Sequence, residues 1–337
     1  MLADYAAEHR ACGESVLHGS SQYELHESCG AWLQSLLAEA DPQQAAAKGW
    51  VQSTTLLCLR KEDDRLIGML NIRHTLNDFL ARYGGNIGFG VRPSERGKGY
   101  GTGMLRHALR FCAGLGMEYA LAGCCKHNAA SAAAIVRCGC VLQNEYEKDG
   151  ETVQLYALPC GESPIGLLRG TVTLQPHDPV WNSLGQSAAL TCRSILGDIC
   201  PDAQHVGSSS VQGLAAKPIL DIAVGVTGME ATTKKLPQLE AAGFIHVPES
   251  SLRGEIFCSA GSRVNDVRTH HIHIVPYESR AWQQYIAFRD RLRTDEAARN
   301  AYGQLKTQLQ AQNAADRAAY TAGKASFIQS EIAKSLT

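Results

Sequence analysis

The sequence predicts a mixed α/β protein with two domains, the second of which ends in a helical tail. Three observations support this fold class. Strand-like and helix-like hydrophobic patterns alternate through the first half of the chain. Prolines and glycines cluster between Pro159 and Gly166, as is typical of a domain boundary. A long helical pattern begins near Glu278 and continues almost to the end.

The length of 337 residues suits two ordinary domains, which we place at 1–160 and 170–337 with a linker over 161–169. The net charge of −1 argues against broad binding to nucleic acids or membrane surfaces. No apolar run approaches the roughly 20 residues of a membrane helix, and the N-terminus lacks a secretory pattern. We therefore expect a cytoplasmic protein. Its 12 cysteines lack C-x-x-C spacing, which predicts small core or surface residues rather than zinc ligands.

In the first half, short apolar or alternating runs predict strands and amphipathic runs predict helices. The predicted strands are Leu56–Leu59, Leu66–Ile72, Gly85–Val91, Tyr119–Cys124 and Val153–Leu158. The predicted helices are Thr102–Leu115 and Ala130–Arg137. Gly88 and Gly90 leave one face of the third strand nearly bare. That face suits the close approach of a ligand or of another backbone.

The sequence Arg96-Gly97-Lys98-Gly99-Tyr100-Gly101 lies between the third strand and the first of these helices. Glycines allow backbone N–H groups to converge, and the helix start adds unpaired N–H donors and a positive dipole end. Arg96 and Lys98 add positive charge. The pattern favours a phosphate-binding loop, although an ordinary turn would have the same glycines.

The stretch Gly88–Thr102 resembles motif A of the GNAT acetyltransferases, and Asn128 with the helix that ends at Gly139 resembles motif B. The resemblance spans Leu56–Pro159 and implies an acetyl-CoA-dependent N-acetyltransferase with a mixed sheet flanked by helices. The implied acceptor is a primary amine of a small molecule or peptide. Met1–Trp50 would supply a first strand and two helices over the acceptor site.

The same resemblance assigns roles to particular residues. Asn128 would bind the pantetheine arm, and amides near Val91 would polarise the thioester carbonyl. Ile135 occupies the position where many members carry a tyrosine general acid, so the acid is unassigned. The pyrophosphate would be held by the backbone of Arg96, Gly97, Lys98, Gly99, Tyr100, Gly101 and Thr102.

The general base is not evident, because Asn86 stands where some members carry a glutamate. His74 is the candidate, since an imidazole titrates near working pH. Arg73 would orient an anionic substrate and Asn71 would line the acceptor site. The alternatives are an anchoring histidine, an ion-paired arginine and a turn residue.

The segment Val172–Lys334 is similar to the GrpB family, whose fold is related to nucleotidyltransferases. The similarity rests on runs such as His205–Val211, Gly213–Ile222 and His271–His273. It implies an α/β sheet with a pocket for an anionic or nucleotide-like ligand. The pocket candidates are His205, Ser208, Ser209, Lys217, Asp221, His271, His273 and Arg289.

The carboxylates expected for two-magnesium nucleotidyl transfer are incomplete. Ala223 breaks the Asp-x-Asp pair that Asp221 would begin, and a third carboxylate is not evident. Two alternatives remain for Asp221, His271 and His273: they bind a single softer divalent metal, or the histidines form a pocket wall without a metal. Lys217, Arg289 and Arg293 suggest an anion, and pairing with Asp221 or Asp290 is the alternative. For Ser208–Ser210 the alternative is a helix N-cap.

Three functions therefore compete: an N-acetyltransferase, a nucleotidyltransferase with an accessory acetyl-CoA-binding domain, and a non-catalytic ligand sensor. The intact glycine loop favours the first. The sequence leaves open whether the protein is a monomer or a homodimer.

Overall fold

The computed structural model describes residues 1–251, 254–262, 265–313 and 316–335. The chain divides into two compact units, Met1–Ser163 and Pro164–Thr337. The stretch 164–169, which the sequence assigned to the linker, lies in the second unit. Its backbone is held there because Gly166 donates to the carbonyl of Pro218 at 2.7 Å.

The N-terminal segment is helical and contains no strand before Ser53, so the expected first strand is absent from this fully described stretch. Three helices replace the expected two. They are α1 (Leu2–Ala11), α2 (Cys29–Ala40) and α3 (Pro42–Ala47). Tyr5 and Trp32 are their largest buried side chains.

The first unit continues with two three-stranded antiparallel sheets, ordered β1-β2-β3 and β4-β6-β5. The elements are β1 (Ser53–Leu59), β2 (Leu66–Arg73), β3 (Ile87–Val91), α4 (Tyr100–Gly114), β4 (Tyr119–Cys125), α5 (Ala129–Val136), β5 (Val141–Lys148) and β6 (Glu151–Pro159). The predicted strands and helices all occur within a few residues of their predicted bounds. The sequence missed β5, because nearly all of its residues are exposed and no hydrophobic alternation marks it.

The two sheets meet at one point beside β3 and β4, where an isolated bridge joins Gly85 to Ala122. Next to it, the Asn86 amide accepts from the N–H of Leu121 at 2.9 Å and donates to the carbonyl of Arg73 at 3.0 Å. In the described chain no ladder joins β3 to β4 beyond this point. Beyond this point, the main-chain N–H and C=O groups of β3 and β4 therefore do not pair with each other.

The second unit contains a five-stranded sheet, ordered β10-β11-β13-β9-β8, in which only β13 and β9 are parallel. Its elements are β7 (Leu167–Leu168), α6 (Val180–Leu196), β8 (Asp202–Val206), β9 (Leu220–Val226), α7 (Met229–Ala241), β10 (Ile245–His246), β11 (Ile256–Ala260), β12 (Val267–Arg268), β13 (His270–Pro276), α8 (Arg280–Thr294), α9 (Glu296–Gln312), α10 (Arg317–Gly323) and α11 (Ala325–Ser335). The helical pattern that the sequence predicts from near Glu278 forms α8, α9, α10 and α11 in the described residues, with α10 and α11 separated at Lys324.

The core of the second unit lies between the sheet and helices α6 and α7. Cys192 and Cys258 are fully buried in it, beside Ile222 and Ile272. These cysteines act as small apolar residues, as the sequence predicted. Among the described residues, no helix combines the length and apolar character needed to cross a membrane.

Candidate functional sites

The glycine loop adopts a backbone conformation that two of its glycines make accessible. Gly97 and Gly99 have φ angles of +78° and +87°, in the left-handed region. A Cβ atom at either position would meet no atom within 4 Å. Gly101 has a different role: its Cα faces the ring of Phe89 on β3, and a Cβ there would lie 3.3 Å from that ring. Gly97 and Gly99 therefore favour the left-handed backbone, whereas Gly101 allows the helix to pack closely against Phe89.

The backbone N–H groups of residues 97–102 have no acceptor among the described residues. The next amide along, that of Gly103, donates to the carbonyl of Gly99 at 3.1 Å and closes the first turn of α4. These free amides lie at the start of α4, where the helix dipole is positive. Together they form an anion-binding site. Local sequence alone dictates this geometry, since strand, loop and helix are contiguous.

The two basic side chains of the loop are both ion-paired. Arg96 forms a two-pronged pair with Glu14, at 2.6 and 2.8 Å, and its Nε donates to the carbonyl of Val91. Lys98 Nζ lies 2.8 Å from a carboxylate oxygen of Glu95. The sequence predicted that both residues add positive charge to the loop. In the structure the free amides, rather than these side chains, are available to an anion.

Asn128 caps α5, where its Oδ1 accepts from the N–H of Ser131 at 3.0 Å. Its Nδ2 group has no acceptor in the described part of the chain and remains able to donate. Ile135, seven residues on, is fully buried and offers no polar group. The missing tyrosine acid is therefore not replaced at this position.

The bare face of β3 is covered by protein in the structure. The carbonyl of His18 lies against Gly90, so closely that a Cβ atom would clash with it. The guanidinium of Arg73 lies beside Gly88, 3.7 Å from where a Cβ would be, and donates to the carbonyl of Gly85 at 3.1 Å. Burial lowers the pKa of Arg73, and the nearby Glu39 carboxylate partly offsets this effect.

Asn71 belongs to a buried polar network beside Arg73. Its amide donates to the hydroxyls of Ser53 at 3.1 Å and Thr55 at 3.0 Å. Ser53 in turn donates to Glu39 Oε2 at 2.8 Å. Glu39, on α2, thus adds a carboxylate that the sequence did not single out.

His74 follows β2 and is half-buried. Its Nε2 lies 2.9 Å from the hydroxyl of Thr54, and its ring packs near that of Phe111 on α4. Burial lowers the pKa of His74 to about 4. The imidazole is therefore neutral at pH 7 but binds a proton only weakly, which limits it as a general base.

In the second unit, the glycine–serine turn adjoins Asp221. Gly207 has a φ of +69°, and a Cβ at this position would lie 2.6 Å from a carboxylate oxygen of Asp221. Ser208–Ser210 form a single 3-10 turn. The hydroxyl of Ser209 lies 3.0 Å from Nε2 of His205, and burial lowers the pKa of that histidine to about 3. The structure thus brings these predicted pocket residues together.

Asp221 pairs with the two histidines that the sequence placed on one strand face, through a hydrogen bond with His271 and at ion-pair distance from His273. His271 Nδ1 lies 3.1 Å from Asp221 Oδ1, and His273 Nε2 lies 3.7 Å from the same atom. Burial alone would raise the pKa of Asp221, but these bonds hold it well below the ordinary value.

Glu255 completes this group and was missed in the sequence. It comes just before β11, and its Oε1 lies 2.7 Å from Nδ1 of His273. Burial alone would lower the pKa of His273, but its bonds to Asp221 and Glu255 outweigh burial and raise that pKa to about 9. His273 is therefore a cation between two carboxylates at neutral pH. The hydroxyl of Tyr285 also lies 3.0 Å from His273 Nδ1.

The predicted basic residues of the pocket separate into two groups. Arg289 is buried and bonded to Gln204, to the carbonyl of His205 and to Asp290, and Arg293 donates to the carbonyl of Ser210. Both arginines hold the turn in place. The side chain of Lys217, in contrast, forms no ion pair or hydrogen bond with any described residue, although its backbone carbonyl accepts from the N–H of Ile219.

Comparison with known proteins assigns each half of the chain to a family. Residues 171–334 match the family described as GrpB protein. The glutamate-rich protein GrpB of Alkalihalophilus pseudofirmus is 31% identical over 166 residues, covering 49% of this chain and 95% of that protein. The chain belongs to the GrpB family. Residues 21–140 match the Acetyltransferase (GNAT) family, so a GNAT domain precedes the GrpB domain.

Two solved structures match parts of the chain. A GrpB protein from Enterococcus faecalis is 30% identical, covers 49% of this chain and 97% of its own, and has a TM-score of 0.45. A spermidine N-acetyltransferase chimera from Vibrio cholerae and hSSAT is 15% identical, covers 32% of this chain and 67% of its own, and has a TM-score of 0.27.

One group of side chains in the described residues has ligand atoms that converge as they would around a metal ion, and it lies in the GNAT domain. It comprises Cys125, His127 and Glu151, whose ligand atoms lie within 4.8 Å of one another. In the GrpB domain, the carboxylates and histidines are bonded to each other, and His273 carries a proton on the nitrogen that a metal would need. That arrangement fits a divalent ion poorly.

Proposed function

We propose that the protein is an acetyl-CoA-dependent N-acetyltransferase acting on a primary amine of a small molecule or peptide, and that its GrpB domain binds an anionic ligand. The acetyltransferase activity is supported by the row of free amides at residues 97–102 in a domain of the GNAT family. A pyrophosphate offers acceptor oxygens to such a row. The open space beside Gly97 and Gly99 leaves room for it.

In this proposal the amides of residues 97–102 hold the pyrophosphate and Asn128 Nδ2 donates to the pantetheine arm. The lone pair of the acceptor amine forms the N–C bond to the thioester carbonyl carbon. The C–S bond then breaks, the former amine nitrogen releases its extra proton to solvent water, and the thiolate of coenzyme A leaves and takes up a proton from solvent. Because Ile135 offers no acid, we assign that last protonation to water.

The acceptor end of the site lies at the network around Glu39. Its carboxylate accepts from the hydroxyls of Ser21 and Ser53, and it is electrostatically coupled to Arg73 beside Gly88. A carboxylate held in this way suits an ammonium group before it loses its proton. We place Glu39 ahead of His74 as the group that receives the amine, because the low pKa of His74 makes it a weak base.

The test is calorimetric titration with acetyl-CoA, followed by a panel of amines with detection of free coenzyme A. Saturable binding and release of coenzyme A with at least one amine would support the proposal. Glu39→Gln should raise the KM for the amine and leave acetyl-CoA affinity unchanged. Absence of acetyl-CoA binding would refute the assignment of the loop.

Glu255 favours a second candidate, nucleotidyl transfer by the GrpB domain. It supplies beside Asp221 a carboxylate that the sequence did not reveal, and magnesium would have to displace His273, which lies between the two and makes this arrangement a poor fit for a divalent ion. Incubation with each nucleoside triphosphate and magnesium should then release pyrophosphate, and Asp221→Asn should abolish the release. Unchanged pyrophosphate levels would leave the domain with a binding role.

A further inference from the structure

Three lysines of the GrpB domain lie close together around two buried tyrosines. Lys324 Nζ lies 4.5 Å from the ring centre of Tyr320, and Lys217 Nζ lies 5.8 Å from the same ring. Lys306 Nζ lies 4.9 Å from the ring centre of Tyr302 and donates to the carbonyl of Ala215. These residues come from the loop before β9 and from the C-terminal helices, so only the tertiary fold assembles them.

The lysines lack counter-ions. In the part of the chain that the structure describes, none of the three lies within 4 Å of a carboxylate oxygen. Asp221 is the acid that acts on Lys217 and Lys324 at longer range, and it is already bonded to His271. Arg317, which is likewise unpaired in the described chain, adds a further positive charge near Lys217 and Lys324.

This concentration of positive charge is costly in the free protein. Lys306 is 2% exposed, and burial together with the charges of Lys324 and Lys217 lowers its pKa to about 7. Burial and the charge of Lys217 lower the pKa of Lys324 to about 8. An anion placed among these groups would relieve both the repulsion and the lost solvation.

The lysine group adjoins the glycine–serine turn. Burial raises the pKa of Tyr302, the side chain of Ser208 lowers it and the charge of Asp221 raises it, so both residues lie near Tyr302. Arg317 lines a cavity of about 260 Å³ together with His271, His273 and Glu255. Of these cations, Arg317 therefore lies at a cavity that also contains the acidic and histidine groups, and its charge acts on Lys217 and Lys324.

We infer that Lys217, Lys306 and Lys324 bind the phosphoryl groups of a polyphosphorylated ligand. The inference deepens the anion binding proposed for the GrpB domain and rests on it. Among the described residues, the three lysines have only the carboxylate of Asp221 near them, so an anion with more than one negative charge would balance their charge best. A phosphate chain offers such charge over several oxygens, each able to accept from an ammonium group.

Calorimetric titration of the full chain with tripolyphosphate, ATP and citrate tests the inference. We expect tripolyphosphate and ATP to bind and citrate, a trianion without phosphorus, to bind far more weakly. Equal affinity for the first two would assign recognition to the phosphates alone, and tighter ATP binding would add a nucleoside contact. Citrate binding as tight as that of tripolyphosphate would overturn the phosphoryl assignment.

Substitutions locate the site. Lys217→Gln and Lys324→Gln should each weaken tripolyphosphate binding about tenfold or more, whereas Lys217→Arg should retain most of it. Each Gln variant should also melt at a higher temperature without ligand, because it removes one of several like charges; a lysine needed only for folding would lower that temperature. Lys234→Gln is the matched control, since Lys234 is an exposed lysine paired with Glu230 on α7.

Two outcomes separate this inference from the proposed function. Tripolyphosphate binding that is unaffected by both Gln substitutions would overturn the lysine site without refuting the proposed function. If the full chain binds tripolyphosphate but not acetyl-CoA, the acetyltransferase proposal is refuted and the lysine site is supported. Absence of binding by every phosphate compound would refute the inference.

Discussion

Replacing Gly99 with alanine tests whether the left-handed backbone of the glycine loop is needed to bind acetyl-CoA. Gly99 has a φ of +87°, and a Cβ there would meet no atom within 4 Å. The substitution therefore adds backbone strain without a steric clash in the protein. An alanine in this conformation costs about 1–2 kcal/mol.

Gly116, just after α4, is a matched control. Its φ is +85° and its Cβ would also meet no atom within 4 Å, but it lies at the other end of the helix from the loop. Gly99→Ala and Gly116→Ala should therefore lower the unfolding free energy of the GNAT domain by similar amounts. A thermal melt of each variant measures this loss.

Acetyl-CoA affinity should separate the two variants. If Gly99→Ala relaxes its strain by turning the loop, at least one amide in the range 97–102 leaves the pyrophosphate. A hydrogen bond to a charged group contributes about 1.5–3 kcal/mol, so the affinity should fall by about tenfold to about a hundredfold. Calorimetry should show this loss for Gly99→Ala and wild-type affinity for Gly116→Ala. Equal affinities in the two variants would refute the role assigned to the loop.

Two further predictions concern titrating carboxylates. Burial alone would raise the pKa of Glu8, but hydrogen bonds from Ser94 and Arg92 outweigh it and lower that pKa to about 2. The ionised Glu8 therefore stabilises the fold above its unfolded pKa near 4.5, and this stabilisation is lost as the pH falls towards 2. In Glu8→Gln, the unfolding free energy of the GNAT domain should depend less on pH in this range. Glu255→Gln removes one of the two carboxylates beside His273, so an NMR titration should show the pKa of His273 falling from about 9.

Exposed acids provide the controls for both predictions. Glu62→Gln should leave the acid unfolding curve of the GNAT domain unchanged, and Glu249→Gln should leave the titration of His273 unchanged. If Glu8→Gln unfolds along the wild-type curve, Glu8 does not stabilise the fold through its charge. If His273 titrates unchanged in Glu255→Gln, the bond to Glu255 does not set its protonation.

The glycine loop was predictable because all its determinants are local. The glycines, the strand before them and the amphipathic helix after them are contiguous, and the structure leaves the amides of residues 97–102 free. The charges beside the loop were not predictable. Arg96 is paired with Glu14, a residue far away in sequence, and no local pattern marks that contact.

The sequence by itself determined the mixed α/β class, the two-domain organisation and the position of the phosphate loop, because hydrophobic period and glycine placement act over short stretches. Tertiary structure alone decided which side chains meet. Glu255 and Asp221 both reach His273 because β13 lies between β11 and β9 in the sheet, a strand order that no segment specifies alone. Lys306 and Lys324 reach Lys217 only when the C-terminal helices pack beside that sheet, since long-range contacts depend on the whole fold.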